Sequence, residues 1–316
     1  MRPEVRALPE VFLERLRRII PSPRWDAVAN TFAQPKPTTF RVNTLKARVG
    51  DVRRELEERG FRLTPVSWSP EAWILRQGRL RDLQDTAIYR QGLIYVQSLS
   101  SMVPAYLLDP QPGEQVLDLT AAPGSKTTQM ACLMRGEGRI VANDNNQVRF
   151  YKLRANVELQ AARNVELVLR DGASIGRTHA GQFDRVLLDA PCSAEGRFHV
   201  RKPASYRYWK PAKIREMVRK QRRLLRSAIL GLRPGGVLVY ATCTFAPEEN
   251  EGVLSWALGQ FGDAIALEAA KPPVPCLPGL TTWEGQAFHP SLRRAMRIIP
   301  TPELEGFFVA RIHKIG

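Results

Sequence analysis

From Gln115 to Cys243 the chain repeats one pattern, a short apolar run followed by a longer stretch with helical spacing. The runs are QVLDL, RIVAND, VELVLRD, FDRVLLDAP and GGVLVYATC. They are apolar continuously, not at alternate positions, so each strand is buried on both faces and belongs to a parallel sheet covered by helices. Helical patterns include 211–232 and 248–261. A closing pair, RRAMRIIP and GFFVARIHK, reads as a hairpin at the sheet edge. The Pro-rich stretch KPPVPCLPGL, which holds Cys276, reads as a loop without chemistry.

Upstream the pattern differs. Val11, Phe12, Leu16, Ile19 and Ile20 recur near helical spacing between Arg and Glu, which predicts an amphipathic helix. FRVNTL predicts a strand, VGDVRRELEERGF a helix ending near Gly60, and WILRQ and LIYVQ short extended pieces around a turn at Gly92. A helical stretch ending at Leu108 then leads into the repeating part. The expected organisation is a small α+β domain over 1–100 and a larger α/β domain over 101–316.

The chain has 316 residues and a formal net charge of +16, with a pI near 10.2. Arginine greatly outnumbers lysine, which suits phosphate forks and stacking on bases, so nucleic acid is the first partner to consider. The four cysteines show no paired CxxC spacing, so neither a dense disulfide framework nor a zinc site is expected. A reducing compartment, the cytoplasm, fits. The opening stretch carries Glu4, Glu10 and Glu14 and no long apolar run, which excludes a signal peptide. No run of eighteen apolar residues marks a membrane span. A monomer is expected, with no long N-terminal extension and no further C-terminal RNA-binding module.

In open α/β sheets ligands bind beyond the carboxyl ends of the strands. The first strand runs into DLTAAPGSKT, where Asp118 ends the strand and Ala121, Ala122, Pro123 and Gly124 form a tight turn opening a helix. Small residues let the backbone approach a ligand, and helix-start amides can bond to it. Asp144, at the end of the second strand, is placed for ribose hydroxyls of a nucleoside cofactor. Asp171-Gly172, after the third, can face an adenine amino group. A dehydrogenase would show G-x-G-x-x-G and an NTPase a glycine before Lys126-Thr127; the chain has AAPGSK.

DLTAAPGSKT, DRVLLDAPCSAEG and YATCTFAPEENEGVL, with FRVNT, IYVQSLSS and RIIPTPELEGFFVARI, resemble the Sun-type RNA cytosine carbon-5 methyltransferases, the group containing bacterial RsmB and RsmF. The resemblance runs from Thr39 to Lys314. Departures are Ser125 where glycine is usual, Ala194 for glycine, and Thr244 for serine. It implies a class I S-adenosylmethionine methyltransferase fold, a seven-stranded Rossmann-like sheet with one antiparallel strand, preceded by a small RNA-facing domain. The cofactor contacts expected are Ala121, Ala122, Pro123, Gly124, Ser125, Lys126, Asp144, Arg149, Asp171, Gly172, Asp189 and Pro191.

Carbon 5 of cytosine is a poor nucleophile, and a thiolate adding to carbon 6 activates it by splitting one hard step into easier ones. The resemblance implies Cys243 of the TC motif as nucleophile and Cys192 of the PC motif as the group that assists release. It also implies that Asp189 bonds the base near ring nitrogen 3, with Lys126 holding that carboxylate. The rival order, Cys192 as nucleophile, is the one DNA cytosine methyltransferases use. It offers no reason for Thr242-Cys243 followed by PEENE.

The loop RFHVRKPASYRYWKP interleaves cations with rings, the composition of a single-strand RNA surface. The residues expected on RNA are Arg197, Phe198, Arg201, Lys202, Tyr208 and Trp209, with Arg41 and Asn43 from the small domain. The competing possibility is a basic loop whose aromatics pack inward. Arg215 to Arg226 reads as a solvated helix face. Ribosomal and transfer RNA are both open, and two other classes stand beside the enzyme: a non-catalytic RNA-binding factor on this fold, and a nucleotide-dependent oxidoreductase.

Overall fold

The computed structural model describes residues 1–316, which form two main sheets, a separate two-stranded hairpin and the helices around them. The chain opens with α1 (Glu10–Ile19) and α2 (Trp25–Asn30). Phe12, Leu16 and Ile19 fall on one face of α1 and are buried, while Arg17 and Arg18 are exposed. Next come β1 (Thr39–Val42), α3 (Val49–Glu58), β2 (Arg62–Val66), β3 (Ser69–Gln77), α4 (Leu80–Gln84), α5 (Ala87–Arg90) and β4 (Ile94–Val96). The four strands form an antiparallel sheet in the order β2-β3-β1-β4.

The helix α6 (Leu99–Leu108), buried along nearly its whole length, connects this sheet to the larger one. There β5 (Gln115–Asp118), α7 (Ser125–Leu133), β6 (Arg139–Asp144), α8 (Gln147–Leu159), β7 (Val165–Leu169), α9 (Gly172–Thr178), β8 (Phe183–Asp189), α10 (Pro211–Gly231) and β9 (Leu232–Thr242) alternate as the apolar runs predict. β7-β6-β5-β8-β9 are parallel neighbours. After α11 (Glu251–Phe261) come β10 (Ile265–Glu268), β11 (Cys276–Pro278), the small hairpin β12 (Thr282–Trp283) and β13 (Gln286–Ala287), β14 (Met296–Ile298) and β15 (Phe307–Lys314). β15 enters antiparallel beside β9.

With β10, these strands make the expected seven, but the sheet has nine. β15 is long enough to carry two short strands on its outer edge, β14 against 307–309 and β10 against 311–314. β11 then adds to β14. The Pro-rich stretch read as a loop therefore contributes a strand; an edge position tolerates Pro278 because one side of the ladder is unpaired.

The first thirty-three residues pack with the larger sheet, not with the smaller one. Phe12, Leu16, Val28 and Phe32 share one hydrophobic cluster with Phe198, Tyr240 and Phe245. The rings of Phe12 and Phe198 lie 4.8 Å apart and those of Phe12 and Phe32 5.6 Å apart, one tilted and one edge-on. No helix is long and apolar enough to cross a membrane.

Candidate active site

The carboxyl ends of β5, β6, β7, β8 and β9 converge on a cleft of about 710 Å³, within the range of small-molecule sites. After β5 the chain turns at Ala121, whose N–H donates to Asn143 O at 2.7 Å. Gly124 closes the turn at φ 104°, a left-handed conformation that favours glycine, and α7 starts behind it. Asp118 stays beneath, bonded by the Thr127 hydroxyl at 2.6 Å, and burial pushes its pKa up to about 7.

Asp144, at the end of β6, accepts from the Asn146 N–H at 3.0 Å and pairs with Arg149 at 3.1 Å. Asp171 caps α9 by accepting from the Ala173 N–H at 3.1 Å, and Arg223 reaches it at 3.0 Å. Gly172 follows because a Cβ there would meet Leu224 Cδ2 at 2.9 Å. Asp189, at the end of β8, accepts from Lys126 Nζ at 2.6 Å, and the same ammonium donates to Ser101 Oγ at 2.8 Å.

Beyond Asp189 the PC loop lies against the segment after β9. The sulfurs of Cys192 and Cys243 are 3.3 Å apart. Ser193 Oγ bonds Thr244 Oγ1 at 2.7 Å, and the Gly196 N–H donates to Cys243 O at 2.9 Å. Nothing larger fits at Gly196, where a Cβ would lie 2.0 Å from Gly306 O. The PEENE run fastens both pieces. Glu249 accepts from the Ser193 N–H at 3.0 Å and from Gln221 Nε2 at 2.8 Å. Asn250 accepts from Thr242 Oγ1 at 2.6 Å and donates to Thr244 O at 3.0 Å. Burial pushes Glu249 up to about 7.

The two cysteines differ in acidity. The hydrogen bond from Cys192 holds the Cys243 thiol below the ordinary range; burial opposes this, and the Arg197 guanidinium adds to it. Sharing that proton, together with burial, pushes Cys192 well up. Cys243 is therefore the more readily ionised of the two.

Every residue expected on the cofactor or in catalysis lines this cleft except Gly124, which shapes the turn from behind. Ser101, Lys220 and Arg223 line it too and were not anticipated. Their signals were present, Ser101 within IYVQSLSS and the two cations within the basic run of α10. Arg197, expected on RNA, lines the cleft beside Cys243.

Four of the residues expected on RNA face inward instead. Arg41 is 1% exposed and Asn43 fully buried, the latter donating to Gly92 O at 3.0 Å and Gln160 O at 2.8 Å. Phe198 is buried against Phe12. Trp209 is half-buried, its ring 6.0 Å from that of Phe12 and its Nε1 donating to Glu195 at 3.0 Å. In each case packing or internal hydrogen bonds claim the side chain. Arg201 and Lys202 are exposed, and Tyr208 is 74% exposed under the Arg207 guanidinium.

The chain is similar to known proteins. Residues 105–313 match the family described as 16S rRNA methyltransferase RsmB/F, and residues 8–99 match the N-terminal domain of 16S rRNA methyltransferase RsmF. Ribosomal RNA small subunit methyltransferase F of Vibrio parahaemolyticus is 40% identical over 313 residues, 97% of this chain but 63% of that protein. The chain thus spans less than two thirds of the length of that relative. The tRNA (cytosine(49)-C(5))-methyltransferase of Pyrococcus abyssi is 40% identical over 289 residues, 89% of each chain. A methyltransferase homolog protein from Pyrococcus horikoshii has a solved structure with a TM-score of 0.82 at 35% identity, covering 98% of this chain and 100% of that one. NSun6 from the same organism, solved with SFG, shares the fold at a TM-score of 0.83 and 23% identity, covering 99% and 100%. Matches that tile residues 8 to 313 and relatives alike over nearly the whole length make the assignment: this chain belongs to the RsmB/F family of rRNA methyltransferases.

Proposed function

We propose that the protein methylates carbon 5 of a cytosine in RNA, using S-adenosylmethionine, with Cys243 as the nucleophile. The observation that carries this reading is the sulfur pair of Cys192 and Cys243, 3.3 Å apart and shifted in opposite directions, in the same cleft as the turn after β5. The cleft residues fit the cofactor. Ala121 and Ala122 leave the backbone approachable, Gly172 presents no side chain to the cleft, and Asp144 and Asp171 offer carboxylates at successive strand ends. When bound, the cofactor supplies an electrophilic methyl group.

The Cys243 thiolate adds to carbon 6 of a base drawn out of its stack, forming a C–S bond and pushing electron density onto carbon 5 and ring nitrogen 3. Asp189 faces that nitrogen, and the Lys126 ammonium bonded to it supplies the proton that neutralises the charge. After transfer, Cys192 takes the carbon 5 proton, the C–S bond breaks to return Cys243 as a thiolate, and ring nitrogen 3 gives its proton back to Lys126 through Asp189. Cys192 holds its own proton while a neighbouring thiolate is present. Once that charge is spent in the C–S bond, the largest cause of the raised pKa is gone, and Cys192 can release its proton to solvent and act as base.

Asp144→Ala is expected to weaken binding of S-adenosylmethionine or its demethylated product by about tenfold or more, the cost of a charge-assisted hydrogen bond. Calorimetry on the folded protein measures it. Undiminished binding removes Asp144 from the cofactor site, and no binding to the wild-type chain removes the cofactor.

Arg197, Arg201, Lys202 and Tyr208 remain as the RNA-facing set. RNA affinity is expected to fall steeply with salt, because neutralised phosphates release counterions, and to favour unpaired over duplex targets. A flat salt dependence overturns this. The relatives act, by name, on ribosomal and transfer RNA, and bisulfite sequencing of cellular RNA with and without the gene decides between these classes. We read the protein as acting as a monomer, and four free cysteines suit the cytoplasm.

A further inference from the structure

We propose that Arg41 is a positioning residue, the first link of a hydrogen-bonded chain through Gln97 and Ser101 by which the small sheet holds Lys126 against Asp189. The proposal rests on the methyl-transfer reading above and adds a role for the small domain other than contact with RNA.

Arg41 sits on β1 yet spends its guanidinium on the larger domain. Nη2 donates to Ser125 O at 3.0 Å and to Thr128 Oγ1 at 2.7 Å, both in α7. Nε donates to Gln97 Oε1 at 2.9 Å, and the group lies over the Tyr95 ring, 5.1 Å from its centroid. No carboxylate is among its partners. A buried cation without an anion is costly, so it persists only where several acceptors are fixed around it.

Gln97, just beyond β4, carries the link onward. Its Nε2 donates to Ser101 O at 3.1 Å and to Gln129 Oε1 at 3.0 Å. The Ser101 hydroxyl then accepts from Lys126 Nζ, which also donates to Asp189. Arg41 thus grips the first turn of α7 from one side, and through Gln97 it sets the serine that orients the ammonium on that same turn. A lysine on four flexible carbons has no preferred direction of its own. Here its side chain is 6% exposed and two acceptors fix it.

The test compares Arg41→Met, which keeps an unbranched apolar stem, with the pair Ser101→Ala and Ser101→Thr. In ligand-free Arg41→Met, amide hydrogen exchange is expected to rise at 97–101 and 125–133 and to stay unchanged in β8 and β9. Cofactor affinity is expected to fall about tenfold, while RNA affinity and its salt slope stay within twofold of wild type. Ser101→Ala is expected to slow single-turnover methyl transfer about tenfold and to shift its pH profile, and Ser101→Thr to restore both.

A phosphate contact by Arg41 gives the opposite result, a salt slope reduced by about one with cofactor binding intact, and overturns the proposal. So does exchange that rises everywhere, which marks general destabilisation. If Arg41→Met does not fold, the serine pair decides: equal rates for Ser101→Ala and wild type sink the chain at its last link. Failure of the wild-type protein to bind the cofactor would instead count against the reaction, leaving the exchange result to judge the strut.

Discussion

Cys243→Ala is expected to abolish methyl transfer, by about four orders of magnitude or more, together with any covalent enzyme–RNA species, because it removes the atom that bonds carbon 6. Cys192→Ala is expected to attack and methylate once, then stall with RNA attached through Cys243. Denaturing gels of each variant with substrate RNA and S-adenosylmethionine show a slow-migrating band for the Cys192 variant alone. An adduct only with Cys243→Ala exchanges the two roles. The pH dependence carries a second check. Cys243 is held below the ordinary thiol range, so the reactive thiolate persists at pH values where a free cysteine is protonated, and the rate falls once pH drops through the lowered pKa. Cys192→Ala removes the largest cause of that lowering, and the acid limb of its adduct formation is expected to move to higher pH. A limb that stays in place shows that the hydrogen bond from Cys192 is not what activates Cys243.

The parallel sheet was legible because strands buried on both faces write continuous apolar runs, and the cleft because its acids and cysteines end those runs one after another. What stayed hidden is which amphipathic side chains turn inward. Phe198 and Trp209 read as stacking rings among cations, yet Phe12, nearly two hundred residues earlier, covers them. Arg and Trp each offer an apolar body and a polar tip, so local composition does not say which part meets the core. Arg41 has a buried role that only the approach of α7 creates. In the same way, Lys220 and Arg223 share the exposed run of α10 with other cations. They are distinguished by lying where that helix passes the strand ends. β10 and β11 were not read from the sequence either, β11 for a simpler reason. Three residues, one of them proline, carry no periodicity of their own, and the partner strand supplies the order.

Arg297→Met is expected to cost about 3–5 kcal/mol of folding stability, a large part of the roughly 5–15 kcal/mol of an ordinary protein. Arg297 on β14 and Glu251 at the start of α11 form a fully buried ion pair, with Arg297 Nε on Glu251 Oε1 at 2.7 Å and Nη2 on the other oxygen. Removing the cation leaves a carboxylate with no water and no counter-charge. The Leu280 N–H at 2.9 Å is then its remaining donor. The effect reaches the active site as well, since Arg297 Nη1 donates to Phe245 O at 2.9 Å, two residues past the nucleophile. Pairing Arg297→Met with Glu251→Gln removes the stranded charge, and this double variant is expected to regain most of the stability but not the grip on Phe245. Urea unfolding of the single and double variants measures the first part, and the rate of adduct formation by Cys243 measures the second. A single-variant loss below about 1 kcal/mol, or a double variant no more stable than the single, shows that the pair is not what fastens β14 to α11.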